Sequence, residues 1–112
     1  MFERCASWAG RVFVAEADGC IVGFVCVWGR VPPQEIDDEP ADAAYVSDLV
    51  VLPVWRGRGI GRALLARAEA YARSQGVGSL GIGVVASNRG ALHLYERLGF
   101  APVHVELAKR LS

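Results

Sequence analysis

The sequence predicts an α/β (α+β) domain built on a mixed central sheet, with elements in the order β-β-β-α-β-α-β. A hairpin signature opens the chain. A β-branched run then leads directly into a helical-period segment, and a second strand-then-helix unit follows. The hairpin makes the front half antiparallel, whereas the β-α-β crossover calls for parallel pairing behind it. At 112 residues the chain is long enough for one core, so residues 1–112 are expected to form a single domain with an open site.

The hairpin is "RVFVAE" (Arg11 to Glu16) and "CIVGFVCVW" (Cys20 to Trp28), joined by the turn residues Ala17, Asp18 and Gly19. Residues 29–43 hold three prolines and five carboxylates, which rule out a helix or a central strand there. "AYVSDLVVL", Ala44 to Leu52, reads as a third strand, buried on both faces at its more apolar C-terminal half, and Pro53 ends it. From Ile60 to Gln75 apolar residues at Ile60, Leu64, Leu65, Ala68, Tyr71 and Ala72 trace one helical face, with Gly76 placed as a C-terminal stop. "SLGIGVVAS", Ser79 to Ser87, is the fourth strand. Ser87 or Asn88 caps a helix with Ala91, Leu94, Tyr95 and Leu98 on its apolar face, and Gly99 ends it. "APVHVELA", Ala101 to Ala108, alternates as a final strand.

Apolar residues make up 53% of the chain and charged residues 21%, which places it among globular proteins. Twelve basic and twelve acidic residues cancel, so the overall field predicts neither a nucleic-acid nor a membrane partner. The longest apolar run, Cys20 to Gly29, is about half the ~20 residues of a spanning helix. Cys5, Cys20 and Cys26 fit no CxxC or Cys/His spacing, so neither a disulfide framework nor a metal site is expected, and a reducing, cytoplasmic setting fits best.

Between the third strand and the first helix lies "RGRGIGR", three glycines and three arginines within the seven residues from Arg56 to Arg62. A helix N-terminus exposes unpaired N–H groups and attracts anions, phosphates above all. Glycines at Gly57, Gly59 and Gly61 let the backbone approach such an anion, and guanidinium groups bind phosphate by bidentate forks. A GxxxxGK[ST] loop would need Gly-Lys-Ser/Thr where Arg62, Ala63 and Leu64 stand. A dinucleotide GxGxxG is contradicted by Arg62 and by the carboxylate-free stretch from Gln75 to Leu94. Otherwise the glycines only tighten a turn and the arginines are solvated.

In this context "VVLPVWRGRGIGRALL" resembles the acetyl-CoA-binding motif of the GNAT superfamily of N-acetyltransferases, Q/R-x-x-G-x-G/A, at Arg56, Gly59 and Gly61. "NRGALHLYERLGF" resembles the family's N-x-x-A-x-x-x-Y-x-x-x-G-F at Asn88, Ala91, Tyr95, Gly99 and Phe100. The resemblance runs from about Arg11 to Leu111 and implies the GNAT-like acyl-CoA N-acyltransferase fold. The family's opening strand and two helices, which build much of the acceptor wall, have only residues 1–10 to correspond to them here.

The resemblance implies that the amides of Arg56, Gly57, Arg58, Gly59, Ile60 and Gly61 take the pyrophosphate of acetyl-CoA, with guanidinium support from Arg56, Arg58 or Arg62. Leu49, Val50 and Val51 would offer main-chain groups to the pantetheine arm, between third and fourth strands that splay where Gly81 and Gly83 permit it. Asn88 would serve the cofactor side, or simply cap its helix. Tyr95 would lend a proton to the leaving thiolate, since a phenol near ~10 can serve a thiol near ~8.5; it also lies on an apolar helix face. A lysine-like amine near ~10.4 is free at pH 7 about once in 2,500 molecules, so such an acceptor needs a base more than an α-amine near ~8 does. Asp48 is the candidate base, or else a structural hydrogen-bonding residue; in some relatives the base falls one residue earlier, at Ser47 here. The implied activity is direct transfer of acetyl from acetyl-CoA to a primary amine of a small molecule or peptide, without metal. The alternative is an inactive acyl-CoA-binding module. The acidic loop from Glu35 to Asp42 would recruit a cationic acceptor or is merely solvated. Exposed apolar surface beside the hairpin, as at Phe2 and Trp8, predicts a homodimer.

Overall fold

The computed structural model describes residues 9–31, 43–103 and 105–111. The expectations about residues 1–8, including Phe2 and Trp8, and about the acidic loop from Glu35 to Asp42 lie outside them. Among the described residues the order is β1 (Gly10–Ala17), β2 (Cys20–Val31), β3 (Ala43–Val51), a 3-10 turn (Pro53–Trp55), α1 (Ile60–Ser74), β4 (Ser79–Ile82) and α2 (Arg89–Arg97). The four strands form one sheet in the order β1-β2-β3-β4, antiparallel at its first two junctions and parallel at the last.

Local chemistry accounts for the turns. Asp18 (φ 51°) and Gly19 (φ 79°) both occupy the left-handed region, as a two-residue hairpin whose twist matches its strands requires. Strand β2 continues three residues past Trp28, to Val31, and pairs there with Ala43 at the start of β3. Gly76 (φ 77°) follows the C-cap of α1, as a stop glycine should.

Val25, Val27 and Val46 meet Leu64, Leu65 and Ala68 of α1 to form the core. Each of these side chains is at most 4% exposed. On β3 the burial is the reverse of the sequence expectation. Ala43, Ala44 and Val46 are buried, whereas Val50 is 41% exposed, because β4 covers only the N-terminal half.

The predicted final strand is also corrected. The described residues from Ala101 to Ala108 form no strand, and Val103, Val105 and Leu107 are all exposed. Alternation makes a strand only where a sheet edge and an apolar layer receive it, and the outer edge on that side is the four-residue β4.

Candidate active site

The site begins with a discontinuity in β3. Cys26 pairs with Asp48 and Val27 with Val46, so Ser47 is an extra residue, a β-bulge. Its effect shows in the packing. Val46 before the bulge and Leu49 and Val51 after it all pack against the α1-side core, so the inserted residue reverses the odd-even alternation. Without it Asp48 would point at the core. With it Asp48 shares the opposite face with Tyr45, Cys26 and Trp28. The Ser47 hydroxyl donates to the Cys26 carbonyl at 3.3 Å and so pins the bulge to β2.

A second discontinuity adjoins the first. Parallel pairing of β3 with β4 runs from Ala43 and Ser79 to Val46 and Ile82 and stops there. Beyond that point β3 keeps β2 on one side, while its other edge faces an opening. A cavity of about 130 Å³ occupies the opening, lined by Tyr45, Val46, Ser47, Asp48, Leu49, Ile82, Gly83 and Tyr95.

Two of its polar groups are titratable. Asp48 Oδ2 is buried and has no hydrogen-bond partner among the described residues. An acceptor held in that condition costs on the order of 1–3 kcal/mol, the kind of cost that functional sites retain. Tyr95 enters from α2, half-buried, with its ring edge-on to Phe100 at 5.9 Å. Burial raises its phenol above the ordinary value, so it holds its proton to higher pH.

The glycine-arginine turn lies where β3 hands over to α1. Gly57 (φ 77°) and Gly59 (φ 82°) require left-handed backbone, so these glycines serve the turn itself. Gly61 is different. It lies in α1, and a Cβ there would find only Val51 Cγ2, at 3.9 Å, so nothing among the described residues demands glycine. Gly59 is the N-cap, without a side-chain cap, and the first helical bond runs from the Ala63 amide to the Gly59 carbonyl. The amides of Ile60, Gly61 and Arg62 therefore face outward without intrahelical partners.

The arginines divide by role. Arg56 Nε donates to the Val51 carbonyl at 3.0 Å and buckles the turn onto the end of β3. Arg58 stacks over Trp55, 4.7 Å from the ring centroid. Arg62 is exposed, on the first turn of α1. Asn88 caps α2, its Oδ1 accepting from the Ala91 amide at 3.2 Å.

The structure thus brings Asp48, Leu49 and Tyr95 to one cavity, and leaves Val50 and Val51 outside its lining. The carbonyl of Val51 is already engaged by Arg56. Tyr45 and Ile82 join the lining without having been anticipated. Only their alternation could have drawn attention to them, and that pattern describes any strand.

Known proteins align with this arrangement. The family model described as "Acetyltransferase (GNAT) family" matches residues 1–100. A mycothiol acetyltransferase of Rhodococcus jostii is 35% identical over 86% of the chain and 30% of its own length. A streptothricin acetyltransferase of Streptomyces lavendulae is 39% identical over 81% of the chain and 44% of its own length. The chain therefore spans less than half the length of these relatives. A putative acetyl transferase from Pyrococcus furiosus superposes with a TM-score of 0.78 at 29% identity, covering 98% of this chain and 72% of that one. Fold, motifs and family model agree, and the chain belongs to the acetyltransferase (GNAT) family.

Proposed function

We propose that the chain transfers acetyl from acetyl-CoA directly to a primary amine. The observation that carries this reading is the placement of Asp48 and Tyr95 on one cavity, at the point where β3 and β4 part. The pyrophosphate lies against the amides of Ile60, Gly61 and Arg62, close to the space Gly61 leaves open, with Arg62 and the outer face of the Arg58 guanidinium supporting it. The pantetheine arm runs along the free edge of β3 and ends in the cavity.

The amine nitrogen attacks the thioester carbonyl, an N–C bond forms, and the C–S bond breaks. Asp48 accepts the proton the amine gives up, directly or through a water. Tyr95 donates its proton to the departing thiolate, and its raised pKa keeps that proton available at neutral pH. The apolar outer side of edge strand β1, with Val12 and Val14 exposed, suits self-association, which light scattering tests: a monomer at high concentration overturns it.

Thermal shift with acetyl-CoA and with free CoA tests the cofactor site, and acetyl-CoA consumption over a panel of amines tests the reaction. Stabilisation by both ligands and amine-dependent consumption are expected. Absence of stabilisation at millimolar ligand overturns the cofactor site. Saturable binding without consumption supports the binding module instead.

A further inference from the structure

Tyr45 is held on both flanks. Its register partners are Trp28 in β2 and Gly81 in β4, so one neighbour is a large ring and the other carries no side chain. The Trp28 ring lies 5.8 Å away, centroid to centroid. On the β4 side, a Cβ at Gly83 would stand 2.9 Å from the Tyr45 hydroxyl, so the tyrosine already occupies the space a side chain at 83 would use. The Trp28 ring closes the β2 side, the hydroxyl fills the space beside Gly83, and the ring borders the same cavity as Asp48 and Tyr95.

That cavity is small. It has about 130 Å³ of space and is open to solvent on one side. With a thioester held beside Asp48 and Tyr95, the Tyr45 ring is part of the wall that an incoming amine meets.

We infer that Tyr45 is a specificity-determining residue whose braced ring admits amines through an unbranched CH₂–NH₂ end and excludes those branched at the carbon bearing nitrogen. The inference rests on the transferase reading above. A well-packed wall discriminates one misplaced methyl group by about tenfold or more.

The test compares two isomers, n-butylamine and sec-butylamine, in acetyl-CoA consumption. The wild-type chain is expected to favour n-butylamine by about tenfold or more in kcat/KM. Tyr45→Ala should bring the ratio to within about twofold of unity, chiefly by lowering KM for the branched isomer, whereas Tyr45→Phe keeps the ring and should keep the ratio. Tyr45→Leu serves as the ring-deleted variant if Tyr45→Ala does not fold. Gly83→Ala should depress turnover beside Tyr45 and do so less beside Tyr45→Phe, which lacks the clashing hydroxyl. Equal use of both isomers by the wild type, or a ratio unchanged in the ring-deleted variant, overturns the inference and leaves the transferase reading standing. Acetyl-CoA binding without consumption in the presence of any amine removes that reading and the inference with it.

Discussion

The two sides of β3 make opposite use of the same backbone. Toward β2 the strand is paired from Ala43 to Val51, with a register shift between Trp28 and Val31 and a bulge at Ser47. Toward β4 it is paired for four residues and then released. The first side places the core valines against α1, and the second leaves an edge, a cavity and a carboxylate oxygen without a hydrogen-bond partner among the described residues. Core and cleft thus meet on one strand, and the bulge turns Asp48 away from the core while its neighbour Leu49 packs against that core and also lines the cleft.

Changes on the cleft side should cost catalysis more than stability. The largest effect is expected from Asp48→Asn: kcat/KM should fall by about 10²–10⁴ for an amine of pKa near ~10.4, and far less for one near ~8. Equal losses for both amines would contradict the base role. Tyr95→Phe should lower kcat by roughly 10²-fold. Because burial raises the Tyr95 pKa, the acid form persists upward in pH, so the wild-type alkaline limb should lie above the ordinary phenol value of ~10 and vanish in the variant. A limb below that value, or one retained by the phenylalanine variant, would show that another group donates the proton.

The turn joins the two sides, and its glycines should respond in both measures. Gly59→Ala forces a side chain into left-handed backbone and should cost about 1–2 kcal/mol, a Tm loss of several degrees in thermal unfolding, with a raised KM for acetyl-CoA. Gly61→Ala should raise KM with little change in Tm, since its Cβ meets nothing closer than 3.9 Å among the described residues. The smallest effect is expected from Ser47→Ala, which removes one hydrogen bond to the Cys26 carbonyl and should cost about 0.5–1.5 kcal/mol by denaturant titration. A loss of activity beyond that of Asp48→Asn would mean that Ser47 itself carries the chemistry.

Local patterns explain what the sequence discloses. Asp18 and Gly19 define a hairpin by themselves, Gly76 stops α1, and the period from Ile60 to Ala72 gives the helix without reference to anything distant. The glycine-arginine turn and the Tyr95 segment were legible for the same reason, as short motifs on adjacent elements. The bulge was not. It exists only in the register between β2 and β3, and the sequence of β3 alone makes Ser47 and Asp48 ordinary neighbours on opposite faces. Tyr45 was hidden because its meaning lies in Gly83, where the absence of a side chain far along the chain leaves it room. The final strand failed for a third reason, since alternation from Ala101 to Ala108 does not create the edge it would need.

Amine-dependent release of free CoA thiol from acetyl-CoA, followed with intact-mass analysis of the chain, tests the central claim most directly. Thiol release that rises with amine concentration, matched by acetylated amine and an unmodified chain, is the predicted result. Acetyl-CoA that binds saturably yet releases no thiol on addition of any amine would contradict it.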